Sequence, residues 1–134
     1  MYFVQGINDD VVETAGEGTD TVQTAIENYL LPANVENLVL GAGVTGGAGN
    51  SGDNVLTGNA SNNVLTGNSG NDTLIGGAGT DTASYGNVLA GYRVSVNAST
   101  QVQITDVDPV NGSDGTDTLA SIEQASFADA TVRL

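Results

Sequence analysis

GNSGDNVLT, GNASNNVLT, GNSGNDTLI and GGAGTDTAS follow one another without a break from Gly49 to Ser84, and this stretch decides how the chain folds. It consists of four in-phase units of nine residues. Position 1 is always glycine (Gly49, Gly58, Gly67, Gly76), and position 4 is Gly52, Ser61, Gly70 and Gly79. Position 6 is Asn54, Asn63, Asp72 and Asp81; position 8 is Leu56, Leu65, Leu74 and Ala83. The first six residues of each unit are types that tolerate tightly turned or left-handed backbone. The last three form a strand too short to stand alone. Turn and strand alternate, so two units make one coil of about 18 residues, and a unit buries its position-8 side chain only by stacking on its neighbours. The fold expected is all-β: a parallel β-roll of stacked right-handed coils around a narrow core.

The pattern reaches beyond the repeat. AGEGTDTV places Asp20 at position 6 and Val22 at position 8, and QGINDDVV does the same for Asp10 and Val12. Asp20, Asn37, Asn54 and Asp72 follow at intervals of 17, 17 and 18 on one edge, with Asp10 and Asn28 18 apart on the other. Residues 1–48 are therefore expected to form longer, less regular coils of a single domain spanning 1–134. Downstream, residues 85–134 are expected to cap the roll, because an uncapped roll exposes strand edges. GYRVSVNASTQVQITD alternates apolar and polar residues as antiparallel strands do. Tyr85, Tyr92 and Phe127 are expected to plug the end, and Leu38, Leu40, Leu56, Leu65 and Leu74 to form the core. Tyr2-Phe3-Val4, directly after Met1, reads as mid-repeat strand and suggests an excised piece of a longer protein.

Charge narrows the function. Sixteen acidic residues face two arginines, Arg93 and Arg133, giving a net charge of −14. Such a body repels itself unless cations neutralise it, and it suits neither nucleic acid nor anionic membrane. No cysteine or histidine is present, which excludes disulfides, thiolate and imidazole metal sites and histidine-based triads. No lysine follows the Gly41–Gly49 glycines, so they are not a phosphate loop. No apolar run is long enough for membrane insertion, and no basic N-terminal leader is seen.

The turns suggest what the charge is for. Position 6 offers a side-chain oxygen at a fixed height in every turn, and the glycines let carbonyls face the same spot. Stacked turns then form an all-oxygen cage, which suits Ca²⁺ better than Mg²⁺. The candidate metal residues are Asp72, Asp81, Asn54, Asn63, Gly52, Gly70, Gly79, Asp20, Asp10 and Asp117. Asn54 and Asn63 read equally as turn formers or as uncharged ligands. Asp53, at position 5, is expected to add field rather than ligation. Asp106, Asp108 and Asp114 read as a further ion site or as a solvated acidic loop.

The units follow GGxGxDxUx, where U is a large apolar residue, and resemble the RTX, or haemolysin-type, calcium-binding repeats; GGAGTDTAS preceded by GNSGNDTLI is the nearest match. ANVENLVL is similar to the longer coils beside such repeats, and GSDGTDTLASIEQASFADATVRL to the segment that closes them. The chain departs from the pattern in carrying Asn at position 6 in two units and at position 2 in three. The resemblance implies a module of a secreted bacterial protein, exported by a type I secretion apparatus with an uncleaved signal near its C-terminus. Such modules fold on meeting extracellular calcium and are covalently linked to a parent enzyme, toxin or adhesin. It implies several Ca²⁺ ions, each held between neighbouring turns by position-6 carboxylates and turn carbonyls.

Other classes fit less well. An ice- or polysaccharide-binding roll needs an unbroken outward ladder, but position 7 reads Val55, Val64, Thr73, Thr82 and position 9 reads Thr57, Thr66, Ile75, Ser84. A carboxylate-pair glycosidase needs aromatic sugar platforms and an apolar pocket, and none is evident. The chain is not expected to be an enzyme. The Asp108–Pro109 bond reads as a turn rather than a self-cleavage site.

Overall fold

The computed structural model describes residues 1–6, 9–108, 110 and 113–134. The Asp108–Pro109 bond lies outside the described residues. Short strands alternate between two sheets. One sheet takes β1 (Tyr2–Val4), β2 (Thr21–Thr24), β4 (Asn37–Leu40), β6 (Val55–Thr57) and β8 (Thr73–Ile75), stacked in parallel in that order. The other takes β3 (Tyr29–Leu30), β5 (Gly46–Ala48), β7 (Val64–Thr66) and β9 (Thr82–Ser84), again parallel. Each coil thus visits both sheets before climbing one level, which is the β-roll that the nonapeptide phase demands.

The register shows what the core wants. Val22, Leu38, Leu56 and Leu74 stand directly above one another, and each is fully buried. Across from them run Tyr29, Gly47, Leu65 and Ala83. A β-carbon at Gly47 would press on the Cδ2 atoms of Leu38 and Leu40 at 2.8 Å. The small residue on one sheet therefore makes room for two large ones on the other, as a close-packed thin core requires. Of the five leucines expected in the core, Leu40 is the most exposed, at 3%.

The upstream coils correct two expectations. They are not uniformly longer: Tyr2 pairs with Val22, but Val22 already pairs with Leu38. Because Thr21 pairs with Asn37 and Asn37 with Val55, Asn37 sits at position 7 and Glu36 takes the level of Asp20 and Asn54. Asn28 is likewise one place past position 6, since Tyr29 pairs with Gly47. In QGINDDVV the buried residue is Val11, while Val12 is 78% exposed. That segment carries no strand of its own among the described residues, and Asp10 points into solvent.

The C-terminal segment caps the roll by changing strand direction. β10 (Tyr92–Val96) and β11 (Val102–Asp106) form an antiparallel hairpin. β11 then pairs antiparallel with β12 (Thr116–Ala120), which lies parallel on β8 and places Leu119 on Leu74. In the second sheet β13 (Gln124–Ser126) continues β9 in parallel, and β14 (Thr131–Arg133) closes antiparallel on β13. Tyr85, Tyr92 and Phe127 pack with ring centroids 5.1–5.3 Å apart. All three rings are buried and extend the core beneath the cap.

Candidate metal centre

Stacking coils one above another turns position 6 into two vertical ladders. On one edge stand Asp20, Glu36, Asn54, Asp72 and Asp117; on the other, Glu27, Thr45, Asn63, Asp81 and Glu123. Thr45 N donates back to Glu27 at 3.0–3.1 Å, and the other rungs are hydrogen bonds from backbone N–H groups to the carboxylate one coil on. Asp20 N donates to Glu36 at 2.8 Å, Asn54 N to Asp72 at 2.8 Å and Asp72 N to Asp117 at 2.9 Å. On the second edge Asn63 N and Asp81 N donate to Asp81 and Glu123, each at 2.7 Å. A strand's outgoing N–H groups need partners where the chain turns, and the position-6 side chains supply them.

Glycine at position 1 follows from crowding. A β-carbon at Gly67 would overlap Asp72 Oδ2. One at Gly76 would overlap both Asp81 Oδ2 and the Ser121 carbonyl. At Gly49 and Gly58 the obstacles are the amide oxygens of Asn54 and Asn63 together with the carbonyls of Gly67 and Gly76. Side-chain and carbonyl oxygens from successive coils therefore converge on the same point in the Gly49, Gly58 and Gly76 turns. The position-4 residues line the rim: the Gly52 carbonyl lies against Gly70 and the Ser61 carbonyl against Gly79. Both glycines hold left-handed φ values, 117° and 124°, which a side chain would strain.

The two aspartates differ from every other buried polar side chain described. Asp72 and Asp81 are 1% and 0% exposed. Each spends Oδ1 on the rung to the preceding coil, and each keeps Oδ2 sealed from solvent with no hydrogen-bond partner. An unpaired buried carboxylate oxygen is costly. The cost shows in the proton affinity: burial pushes the Asp72 carboxyl up to about 6, opposed by the Asn54 N–H, and burial also pushes Asp81 up. A hard cation at that oxygen would remove the cost, and the donors here, carboxylate and carbonyl oxygens only, fit Ca²⁺. The residues that would hold it are Asp72 and Asp81, with turn carbonyls such as that of Ser121 completing the shell. No group of three or more acidic side chains able to share an ion occurs among the described residues, so carbonyls must supply much of the coordination.

The remaining candidates are placed differently. Asp117 is buried in the same ladder, but its Oδ2 accepts the Tyr85 hydroxyl at 2.9 Å, so it has no free oxygen of that kind. Burial pushes its carboxyl up to about 7. Asp20 is half-buried at the head of the ladder, and Asp10 is exposed. Asn54 and Asn63 are buried and use their amides within the protein. Asp53 accepts the Asn71 N–H at 2.7 Å on the outer rim. Asp106 accepts the N–H groups of Asp108 and Asp114, and Asp114 accepts the Tyr92 hydroxyl; the three do not gather as a metal-holding group. Glu36 and Glu123, like Glu27, are ladder members that residue type alone conceals. Both lie two places before a buried apolar residue, Leu38 or Ala125, and that spacing is the signal that finds them.

Fold and ladder together define a β-solenoid whose turns present stacked oxygen ligands. Residues 48–83 match the RTX calcium-binding nonapeptide repeat in four copies, so this stretch of the chain belongs to the RTX calcium-binding repeats. No curated protein matches the chain. No helix among the described residues is long and apolar enough to cross a membrane.

Proposed function

We propose that this chain is a calcium-binding β-roll whose Asp72 and Asp81 turns take up the ion outside the cell, and that ion uptake drives the folding of the module within a larger exported protein. The observation that carries the reading is the pair of sealed, unpartnered Oδ2 atoms on those two residues, one on each edge and at the same position of the repeat. With so many acids and so few bases, the chain resists compaction without cations and gains stability with them. RTX repeats occur in secreted bacterial proteins, which supports an extracellular setting and export by a type I apparatus. The module does no chemistry in this reading; the activity resides in the covalently linked parent.

Affinity is expected near the extracellular range, a Kd of about 10⁻⁴–10⁻³ M, because each site has one carboxylate and several neutral oxygens. At ten times that Kd each site adds about 1.4 kcal/mol to folding. Isothermal titration calorimetry of the chain and of the D72A/D81A variant tests it. The parent chain should give saturable heat with calcium chloride, and the variant should give none. No heat at millimolar calcium, or heat unchanged in the variant, removes the assignment.

A further inference from the structure

The four repeat turns are closed in two different ways, and the difference lies at positions 2 and 6. In the first two units position 2 is Asn50 or Asn59, and its amide is fully used. Asn50 Nδ2 donates to the Pro32 and Val35 carbonyls at 2.8 and 2.7 Å, while its oxygen accepts the Gly52 N–H. Asn59 repeats the arrangement on the Gly41 and Val44 carbonyls, both at 2.7 Å, with the Ser61 N–H on its oxygen. Position 6 completes the plug. Asn54 and Asn63 accept the N–H of Asn50 and Asn59 and donate their own amide hydrogens to Val35 and Val44 at 3.1 and 2.9 Å. Carbonyls that would otherwise face each other across the turn are thus bridged by amide N–H groups, the positive ends of neutral dipoles.

The last two units lose this device stepwise. Asn68 donates to one carbonyl, that of Gly49, and in the final unit position 2 is Gly77, with no side chain to give. At the same two levels position 6 becomes Asp72 and Asp81, and the unpartnered carboxylate oxygens appear. Amide plugs and unpartnered carboxylates exclude one another along the roll.

We propose that the Asn50–Asn54 and Asn59–Asn63 turns are metal-free by construction, their amides standing where the ion would, so that the first half of the roll stays folded without calcium and templates the assembly of the Asp72 and Asp81 turns when calcium arrives. This rests on the calcium reading of Asp72 and Asp81 and adds a boundary to it, between β7 and β8. The boundary is crossed by the rungs from Asn54 N and Asn63 N, so the preformed coil offers the incoming carboxylates two fixed N–H donors.

Hydrogen exchange followed by mass spectrometry on the full chain, in EGTA and in millimolar calcium chloride, separates the halves. The N–H groups of Val55 and Val64, bonded to Glu36 and Thr45, should exchange equally slowly in both buffers. Those of Thr73 and Thr82, bonded to Asn54 and Asn63, should exchange about tenfold or more faster in EGTA, the factor expected at ten times Kd. Exchange of both segments accelerating together in EGTA overturns the boundary and leaves calcium binding intact. Exchange of both unaffected by calcium overturns the calcium reading and the boundary with it. An N54D/N63D variant should carry the EGTA sensitivity upstream, so that residues 37–66 become protected only with calcium. Protection of 37–66 in EGTA that survives these substitutions counts against the amide plug, and if the variant does not fold in either buffer the unmodified chain decides alone.

Discussion

The Asn54–Asn63 half of the roll and the Asp72–Asp81 half share a backbone and a core yet solve the same turn problem with different chemistry. Both bury a position-6 side chain, both put glycine at position 1, and both hang on the same column of leucines. One half satisfies its inward carbonyls with neutral amides. The other leaves a carboxylate oxygen unsatisfied and hands the problem to the solvent's cations. Amide against carboxylate at position 6, together with the loss of amide donors at position 2, separates a turn that is complete in itself from one that is conditional. Satisfied buried networks rigidify, and partly satisfied ones are where stability can be switched.

The core offers the largest expected effect and tests whether the halves share one foundation. Leu56 and Leu74 are both fully buried and stacked on each other. Leu56→Ala and Leu74→Ala should each cost about 2–5 kcal/mol in chemical denaturation with calcium present. If only Leu74→Ala were destabilising, the column would not be continuous and the two halves would be separate bodies.

A middle-sized effect separates the plugs. Asn50→Ala removes two donors and one acceptor from a half-buried turn, takes the amide donor from the Pro32 carbonyl and leaves the Val35 carbonyl with Asn54 alone. It should cost about 1–3 kcal/mol, equally in EGTA and in calcium. Asn68→Gly, which suits the left-handed φ of 71° at that position, removes one bond from an exposed side chain and should cost less than half as much. Denaturation midpoints of the two variants in both buffers measure it. Equal losses would mean that the amides of the first half do nothing special.

The parts of this comparison that were legible in the sequence are those with a fixed period. Nine-residue phase gives the turns, the strands, the parallel stacking and the pairing of Asn54 with Asp72 and Asn63 with Asp81, because identical units must repeat identical geometry. Residue type misled where the period slipped. Asn37 resembles a position-6 residue, but Leu38, Leu56 and Leu74 set the register through burial, and Glu36 takes the rung. Counting from Asp10 placed Val12 in the core, where Val11 lies, because two adjacent aspartates and two adjacent valines leave the phase open by one place. The last level was hidden for another reason. Asp117 and Glu123 stack on Asp72 and Asp81 across separations of 45 and 42 residues, with the hairpin of β10 and β11 inserted between them, and no repeat length reveals that. The partnership of Tyr85 with Asp117, which sets Asp117 apart from the other aspartates, depends on the same insertion.

The smallest expected effect is on pH, and its sign is the same for all three buried aspartates of the ladders. Asp117 has its carboxyl pushed up to about 7, chiefly by burial, and Asp72 to about 6 for the same reason; Asp81 is raised too. An unfolded carboxyl titrates near 3.9, so between these limits the folded chain binds more protons than the unfolded one. Stability from these groups is then fully present below the unfolded value and is lost as pH rises through about 6 to 7. In EGTA the melting temperature should therefore fall between about pH 4 and about pH 7, the opposite of the usual behaviour of salt-bridged carboxylates. Calcium competes with protons for Asp72 and Asp81, so saturating ion should blunt the fall and bind less well in acid. The Asp117→Asn substitution keeps an oxygen for the Asp72 N–H and removes the uppermost titration. It should flatten the profile near pH 7 in EGTA without changing the heat of calcium binding at about pH 8. A melting profile in EGTA that rises toward alkaline pH would show that these carboxylates are not held protonated by the fold, and the distinction between the sealed oxygens and the plugged ones would lose its energetic basis.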